Sequence, residues 1–570
     1  RDVIMKTNKL MIAAVGILAI GGLASCSDSW MDVSSKTESN SGNFYKSQED
    51  GLRSLYACYD GWQRTVSDGP TFTVYQLTET MSDECFGGTG NNDGRNTQIL
   101  DRFDMSQAPS YTDMHETLWT SYYAAIFRCN EFIDKAEGIA WDDENAKNTY
   151  LGETHALRAL CYFDMLRLWE NIPLLEHATS DVVPQAEPDS VYSLVFRDLK
   201  YAIEHIPANA YPKKDAATND GHITKYGAEA ILARAYLFYS GYYGKEPDQL
   251  GLTKADALAA CEDIITSGEF SLVPRFKDLW PASSDDKSGD HVGLWAHKNS
   301  SWAGAGNPET VLSMKFNYTA DYNGNNDGNR FQVMIGMRTG SLVYEGYGQG
   351  WGACTVTPSI ASAYATGDTR RSASIIDASQ LKDYESTYLA DQREYTGYFV
   401  KKYTTLSKHE VAGDGKLQHY TETVGAGDFQ ISQFQDWVLV RYADVLLMAA
   451  ELGSPNAQSY FDQVRKRAYT EDDGTTLSGN YSQQTATKEN ILKERKLEFA
   501  FEGIRYWDQL RQGVEQAAKE IAGSWEVKDG GEKTTVSISA ENIIKKRGLI
   551  QIPITEIGLS HGLLKQNPGW

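Results

Sequence analysis

The chain has 570 residues, of which 41% are hydrophobic and 23% charged, the balance of a globular protein long enough to bury a large core. Its 77 acidic side chains outnumber 54 lysines and arginines, giving a net charge of −23. That charge argues against nucleic acid, whose phosphates require neutralisation by Lys and Arg, and against a long anionic ligand without a local basic patch; it is compatible with a neutral ligand.

The first predicted element is a leader. Met5 reads as the start, with residues 1–4 as upstream read-through. Lys6 and Lys9 supply a positive segment, residues 10–23 an apolar run, and Leu23-Ala24-Ser25-Cys26 a small-residue exit. This is the pattern of a signal peptide over residues 1–25. The apolar run falls short of the roughly 20 residues that span a membrane. Leu-Ala-Ser-Cys resembles the lipobox of bacterial lipoproteins, which implies that Cys26 is acylated and that residues 26–46 form a tether. No later apolar stretch approaches spanning length, so the lipid is the expected membrane attachment. The six other cysteines, at 58, 85, 129, 161, 261 and 354, contain no C-x-x-C pair and so no zinc or redox motif. Cys58, Cys129, Cys161 and Cys261 sit in helical, apolar surroundings and read as buried thiols. The even count permits disulfides in an exported chain without requiring them.

From 47 to 269 the pattern is helical. Leu52, Leu55, Tyr56, Tyr59 and Trp62 recur at three- and four-residue spacing, as do Leu118, Tyr122, Ala125, Ile126 and Cys129, then Leu157, Leu160, Cys161, Met165 and Leu168. Small residues around Gly227-Ala228 and Ala233-Arg234-Ala235 allow helices to approach closely, which predicts tetratricopeptide-like hairpins. From 270 to 435, Gly, Asn, Asp and Ser punctuate short β-type runs such as residues 311–316, predicting a lobe of long loops and a few strands. Binding residues concentrate on loops carried by a rigid scaffold. In the last stretch, 436–570, helices are predicted over 436–451, 457–467 and 488–510. The third carries Leu497, Ala500, Phe501, Ile504 and Trp507 on one stripe and Lys493, Glu494, Glu498 and Glu502 on what reads as a solvated face. Residues 549–553 read as a short strand.

No catalytic motif is present: His115-Glu116 and His409-Glu410 do not extend to H-E-x-x-H, and there is no Walker loop and no G-x-S-x-G elbow. Paired carboxylates can always be found among 77 acids and carry no weight without geometry. Asn323, Asn325, Asp327 and Gly328 fit half a calcium loop, but the twelfth position is Met334 rather than Glu, so a plain Asn/Gly turn is the reading. No metal and no cofactor is expected.

Four stretches then carry a resemblance. Residues 151–175 (LGETHALRALCYFDMLRLWENIPLL), 441–451 (RYADVLLMAAE), 491–510 (ILKERKLEFAFEGIRYWDQL) and 549–570, closing on Gln566-Asn567-Pro568-Gly569-Trp570, resemble the SusD/RagB family of outer-membrane nutrient-binding lipoproteins. The resemblance implies a mainly α fold: four tetratricopeptide-like units and an irregular loop-rich lobe with short strands. It implies an outer-membrane location facing the exterior, and a SusC-like TonB-dependent transporter as partner, with the lipoprotein as its lid. It implies that Arg441, Glu498 and Arg505 hold helices together rather than catalyse. The implied activity is capture of an oligo- or polysaccharide. Peptide capture in the manner of RagB is the alternative, and a glycoside hydrolase has only the abundance of carboxylates behind it.

Such sites are built from loops beside the helices, which directs attention to two clusters. The first holds Trp295, Trp302, Tyr318, Tyr322, Tyr344, Tyr347 and Trp351; the second holds Asp83, Glu84, Phe86, Asn91, Asn92, Asp93 and Arg95. Rings offer π faces to pyranose C–H faces, while Asn, Asp and Arg serve hydroxyls. For any single ring, packing its own loop is the commoner case; of the set, at least two are expected to touch ligand. The candidate ligand residues are Trp351, Trp295, Trp302, Tyr322, Tyr347, Asn91, Asp93 and Arg95. Trp351 leads because Gly350 and Gly352 are expected to leave its face uncovered.

Overall fold

The computed structural model describes residues 44–66, 72–213, 221–284, 301–316, 328–340, 343–344, 346–423, 428–433 and 435–570. Cys26, Trp295, Tyr318, Tyr322 and the Asn323–Asp327 turn lie outside the described residues.

Six long helices follow one another through the first half of the described residues, with two shorter ones, Val74–Thr80 and Thr97–Arg102, between the first two: α1 (Gln48–Gln63), α2 (Glu116–Lys135), α3 (Glu144–Trp169), α4 (Pro188–His205), α5 (Lys225–Tyr243) and α6 (Lys254–Thr266). Ser47 and Asp50 close a capping box on α1, and Thr253 and Asp256 close one on α6. Each long helix packs on the next, and α6 packs on α7 (Tyr442–Glu451), which packs on α8 (Ala457–Ala468), so both ends of the chain build one helical stack. From Leu151 onward α3 is buried on nearly every side, as an apolar helix at the centre of the stack must be. Close approach relies on glycine: a Cβ on Gly61 would lie 3.0 Å from the Ala125 backbone, and one on Gly152 would lie 2.5 Å from Ile206. The six cysteines from Cys58 to Cys354 are buried free thiols. No helix among the described residues is long and apolar enough to cross a membrane.

The strands are short and pair in twos, always antiparallel. Strand β1 (Cys85–Gly88) pairs with β3 (Ala353–Val356), and β2 (Thr310–Met314) with β4 (Trp437–Arg441). Near the C-terminus β5 (Gly523–Asp529) and β6 (Glu532–Ile538) form a hairpin. The architecture is mainly α with a loop-rich portion of short strands.

Three local expectations are corrected. Residues 436–451 are not one helix: Trp437–Arg441 is a strand, because its β-branched and aromatic side chains are held by the ladder to β2, and the helix starts only at Tyr442. Residues 488–510 break after Glu498 and resume at Arg505. Phe501 and Gly503 take φ of 63° and 78° in the break. Their N–H groups donate to the buried carboxyls of Glu84 at 3.0 Å and Glu79 at 2.6 Å, so a partner outside the helix satisfies the turn. Residues 549–553 form no ladder; they run extended, with the Ile550 N–H donating to the Leu168 carbonyl at 2.9 Å.

The expected solvated face is the largest correction. Lys493 is exposed, but Glu494, Glu498 and Glu502 are buried. Arg441 donates through Nε to Glu502 at 2.8 Å and through Nη1 to Glu498 at 3.0 Å; Arg370 pairs with Glu494 at 2.6 Å, Arg467 with Glu309 at 2.9 Å and Lys402 with Glu502 at 2.7 Å. Acids at every fourth position look the same whether they meet water or buried guanidinium groups from distant segments. Arg505 forks onto Asp83 at 2.7 and 3.0 Å, joining the last helices to the segment before β1.

Candidate functional site

A cleft of about 760 Å³ opens where the 89–96 loop, the 330–339 segment, the 349–353 loop and Asp391 meet. The β1–β3 ladder sits beneath it and joins two of its walls, with the Thr89 N–H donating to the Gly352 carbonyl at 2.9 Å. Thr89 holds φ at 77°, a strained value for a β-branched residue, at the turn where the chain leaves β1 for the loop. Phe72 and Gln76 come from the segment around the helix Val74–Thr80, and Tyr111 from a loop ahead of α2.

Trp351 lines this cleft. The guanidinium of Arg330 lies over its ring, 5.0 Å from the centroid. Burial pulls the Arg330 pKa down, and the charge of Asp428 opposes that shift. One indole face is therefore engaged, which modifies the expectation of an uncovered ring. The flanking glycines serve another purpose: a Cβ on Gly350 would fall 2.3 Å from the Gly336 carbonyl, and Gly352 adopts φ of 74° with its N–H donating to that same carbonyl at 3.0 Å. They let the 350–352 backbone press against residue 336.

Arg338 ties the walls together. Its Nε donates to Asp391 at 2.8 Å, and its Nη1 donates to the Trp351 carbonyl at 3.1 Å and approaches Asp93 at 3.4 Å. Asp93 also accepts the Gly90 N–H at 2.8 Å. The cleft thus carries two guanidinium groups and two carboxylates, with the charge of Arg338 already met by Asp93 and Asp391. The Gln76 amide oxygen and the hydroxyls of Thr89 and Thr97, all on lining residues, have no hydrogen-bond partner among the described residues. Left so, each such group costs on the order of 1–3 kcal/mol.

Of the residues singled out from sequence, Trp351 and Asp93 meet in this cleft. Asn91 stands beside it, but its amide faces Gly530, whose added Cβ would come within 2.5 Å of Asn91 Nδ2. Arg95 turns to Asp529, 3.4 Å away. Tyr347 packs beside the small core of Met337, Tyr384, Tyr395 and Phe399, where burial pushes its phenol up to about 12. Trp302 packs against Leu406. Asp83, Glu84 and Phe86 are core residues. Sequence reasoning missed Phe72, Gln76, Tyr111, Arg330, Arg338 and Asp391. Tyr111 carried a usable signal, an aromatic in the turn-forming run Pro109-Ser110-Tyr111-Thr112 and 38% exposed here; the others are polar or apolar residues with nothing in their neighbours to mark them.

Comparison with known proteins covers most of the chain. Residues 308–570 match the model described as "SusD family", and residues 30–237 match a SusD-like model described as "Starch-binding associating with outer membrane". SusD-like protein P38 of Formosa agariphila is 24% identical, with 89% of this chain and 92% of that protein covered. A SusD-like protein of Bacteroides ovatus is 23% identical over 89% of this chain and 83% of its own length. Among solved structures, a surface glycan-binding protein A from Bacteroides fluxus aligns with a TM-score of 0.70 at 22% identity, covering 92% of this chain and 100% of the other. A laminarin-binding SusD-like protein aligns with a TM-score of 0.66 at 23% identity, with the same coverage. The surface glycan-binding protein A of Bacteroides thetaiotaomicron in complex with laminarihexaose aligns with a TM-score of 0.66 at 21% identity, again over 92% and 100%. Matched in both its halves, and folded as these proteins are, the chain belongs to the SusD family.

Proposed function

We propose that the chain captures a neutral oligo- or polysaccharide in the cleft beside Trp351 and passes it to a SusC-like TonB-dependent transporter. The observation that carries this reading is the composition of the cleft: the rings of Trp351 and Tyr111 converge with Asp93, Asn96, Gln76 and Gln349 on a space of about 760 Å³. Aromatic faces take up the apolar faces of sugar rings, and the polar groups exchange hydrogen bonds with hydroxyls. The pairing of Arg338 with Asp93 and Asp391, together with a net charge of −23, favours an uncharged ligand. Relatives of the same fold are described as binding laminarin and laminarihexaose, which supports a glycan without specifying which one this chain takes. The outer-membrane role, with acylated Cys26 as anchor, rests on the lipobox-like leader and on the matched model's description, which names association with the outer membrane.

Affinity electrophoresis through gels cast with a panel of plant and host polysaccharides tests this. The expected result is retardation by at least one neutral glycan, little changed by added salt. Retention on immobilised peptides with no glycan retardation would favour the peptide-capture reading instead.

A further inference from the structure

Arg393 is buried, 3% exposed, and is not among the residues that line the cleft. Its guanidinium nevertheless holds one wall. Nη2 donates to the carbonyls of Asn91 at 2.7 Å and Asp93 at 2.8 Å, and Nη1 donates to the carbonyl of Gly94 at 3.0 Å. Three carbonyls of a four-residue stretch converge on one planar cation. Without it, those carbonyls would face one another with their dipoles opposed, and the stretch Gly90-Asn91-Asn92-Asp93-Gly94 would be left to its own turn bonds and its outer contacts. The backbone of the same segment is clamped on the outer side as well. The Arg393 N–H donates to the Thr89 carbonyl at 3.0 Å, and the Asn91 N–H to the Asp391 carbonyl at 3.1 Å. Behind Arg393 stands the tip of the β5–β6 hairpin: the Gly530 N–H donates to the Gln392 carbonyl at 2.8 Å, and Asp529 accepts the Glu394 N–H at 2.8 Å while pairing with Arg95 at 3.4 Å.

The geometry points to Arg393 as the positioning residue that preforms the Asp93 wall of the cleft, with Asp529 as its support from the hairpin; this rests on the reading of the cleft as the ligand site. Arg393 touches no ligand. It acts by fixing the 91–94 backbone so that Asp93 and Gly94 face the cleft before a ligand arrives, which removes an ordering cost from binding. Lysine is a poor substitute, because a single ammonium cannot present the planar fork that reaches three carbonyls.

The test combines amide hydrogen exchange of the full chain with calorimetric titration, using whichever neutral polysaccharide or its oligosaccharide retards the unaltered chain most in affinity electrophoresis. In Arg393→Gln the amides of residues 90–96 should exchange faster in the free protein. The titrated affinity should fall about tenfold or more through a less favourable entropy, and saturating oligosaccharide should restore loop protection. Asp529→Asn should show the same pattern more weakly. Unchanged loop exchange, or a loosened loop with unchanged affinity, would overturn the proposal. If Arg393→Gln melts cooperatively at a much lower temperature, Arg393→Lys decides: native melting with normal loop protection and normal affinity would overturn it, and native melting with a loosened loop and weaker binding would sustain it. If no glycan binds the unaltered chain, the reading of the cleft fails. Arg393 is then judged on exchange alone, and unchanged protection of residues 90–96 rejects it.

Discussion

The guanidinium of Arg330 lies over the indole of Trp351, 5.0 Å from the ring centroid, where both residues line the cleft. A cation over one π face directs a stacking ligand to the opposite face or to the ring edge. Trp351→Ala is therefore expected to weaken oligosaccharide binding by about 1–3 kcal/mol, the range found when stacked aromatics are truncated. Calorimetric titration paired with a thermal melt checks this. A lowered melt would return the ring to a packing role, and unchanged affinity with an unchanged melt would make it a bystander.

Arg330→Met keeps much of the side chain's length and removes its charge. Glycan affinity should fall by about 0.5–2 kcal/mol through the loss of the cation from one face of the ring. In combination with Trp351→Ala it should add little, because the two residues act as one contact. Additive losses in the double-mutant cycle would separate them and contradict the pairing.

Much of the scaffold could be read from the chain. The three- and four-residue spacing in α1, α2 and α3 is helical and these helices form; the described parts of the 270–435 stretch hold short strands, short helices and loops. What misled was identity of pattern. Glu494, Glu498 and Glu502 follow a spacing that serves an exposed helix face equally well, and only the long-range arrival of Arg370, Arg441 and Lys402 distinguishes the two cases. The site was legible in part. Trp351 and Asp93 reach the cleft. Arg338 and Asp391, more than 50 residues apart and paired at 2.8 Å, could be joined only by the fold. Tyr347, three residues from Gly350, satisfied the same aromatic-in-a-loop criterion as Trp351 and turns instead to a satellite core.

Glu498 carries the buried ion network. Its carboxyl faces Arg441 at 3.0 Å and Arg370 at 3.2 Å, and also contacts Arg467. Burial pushes its pKa up, but Arg467, Arg441 and Arg370 outweigh burial and hold it at about 2. Glu498→Ala removes one carboxylate partner from three buried guanidinium groups, which keep Glu502, Glu494 and Glu309, and should cost about 3–5 kcal/mol in urea unfolding. Because the folded value lies below the ordinary 4.5, this stabilisation is present above pH 4.5 and is lost as pH falls toward 2. A variant as stable as the unaltered chain would show that the network relaxes around the loss.

Glu84 behaves oppositely. Burial first, then the charge of Asp83, push its carboxyl up to about 8. A raised carboxyl binds a proton more tightly in the fold than in the unfolded chain. Its contribution is therefore fully present below pH 4.5 and declines as pH rises from there to about 8. Glu84→Gln keeps an acceptor for the Phe501 N–H and removes the ionisation. It should flatten the fall in stability across that range and raise stability at pH 8 by on the order of 1–3 kcal/mol. Burial and the charge of Glu84 also raise the Glu79 carboxyl, so an unaltered pH dependence would place the proton on Glu79.

A crystal structure of the full chain with the neutral oligosaccharide selected by affinity electrophoresis tests the central claim most directly. The account predicts a sugar ring against the face of Trp351 opposite Arg330, with hydroxyls at about 2.7–3.2 Å from Asp93 and its neighbours in the cleft. A sugar bound on another surface, with this cleft holding none, would contradict it.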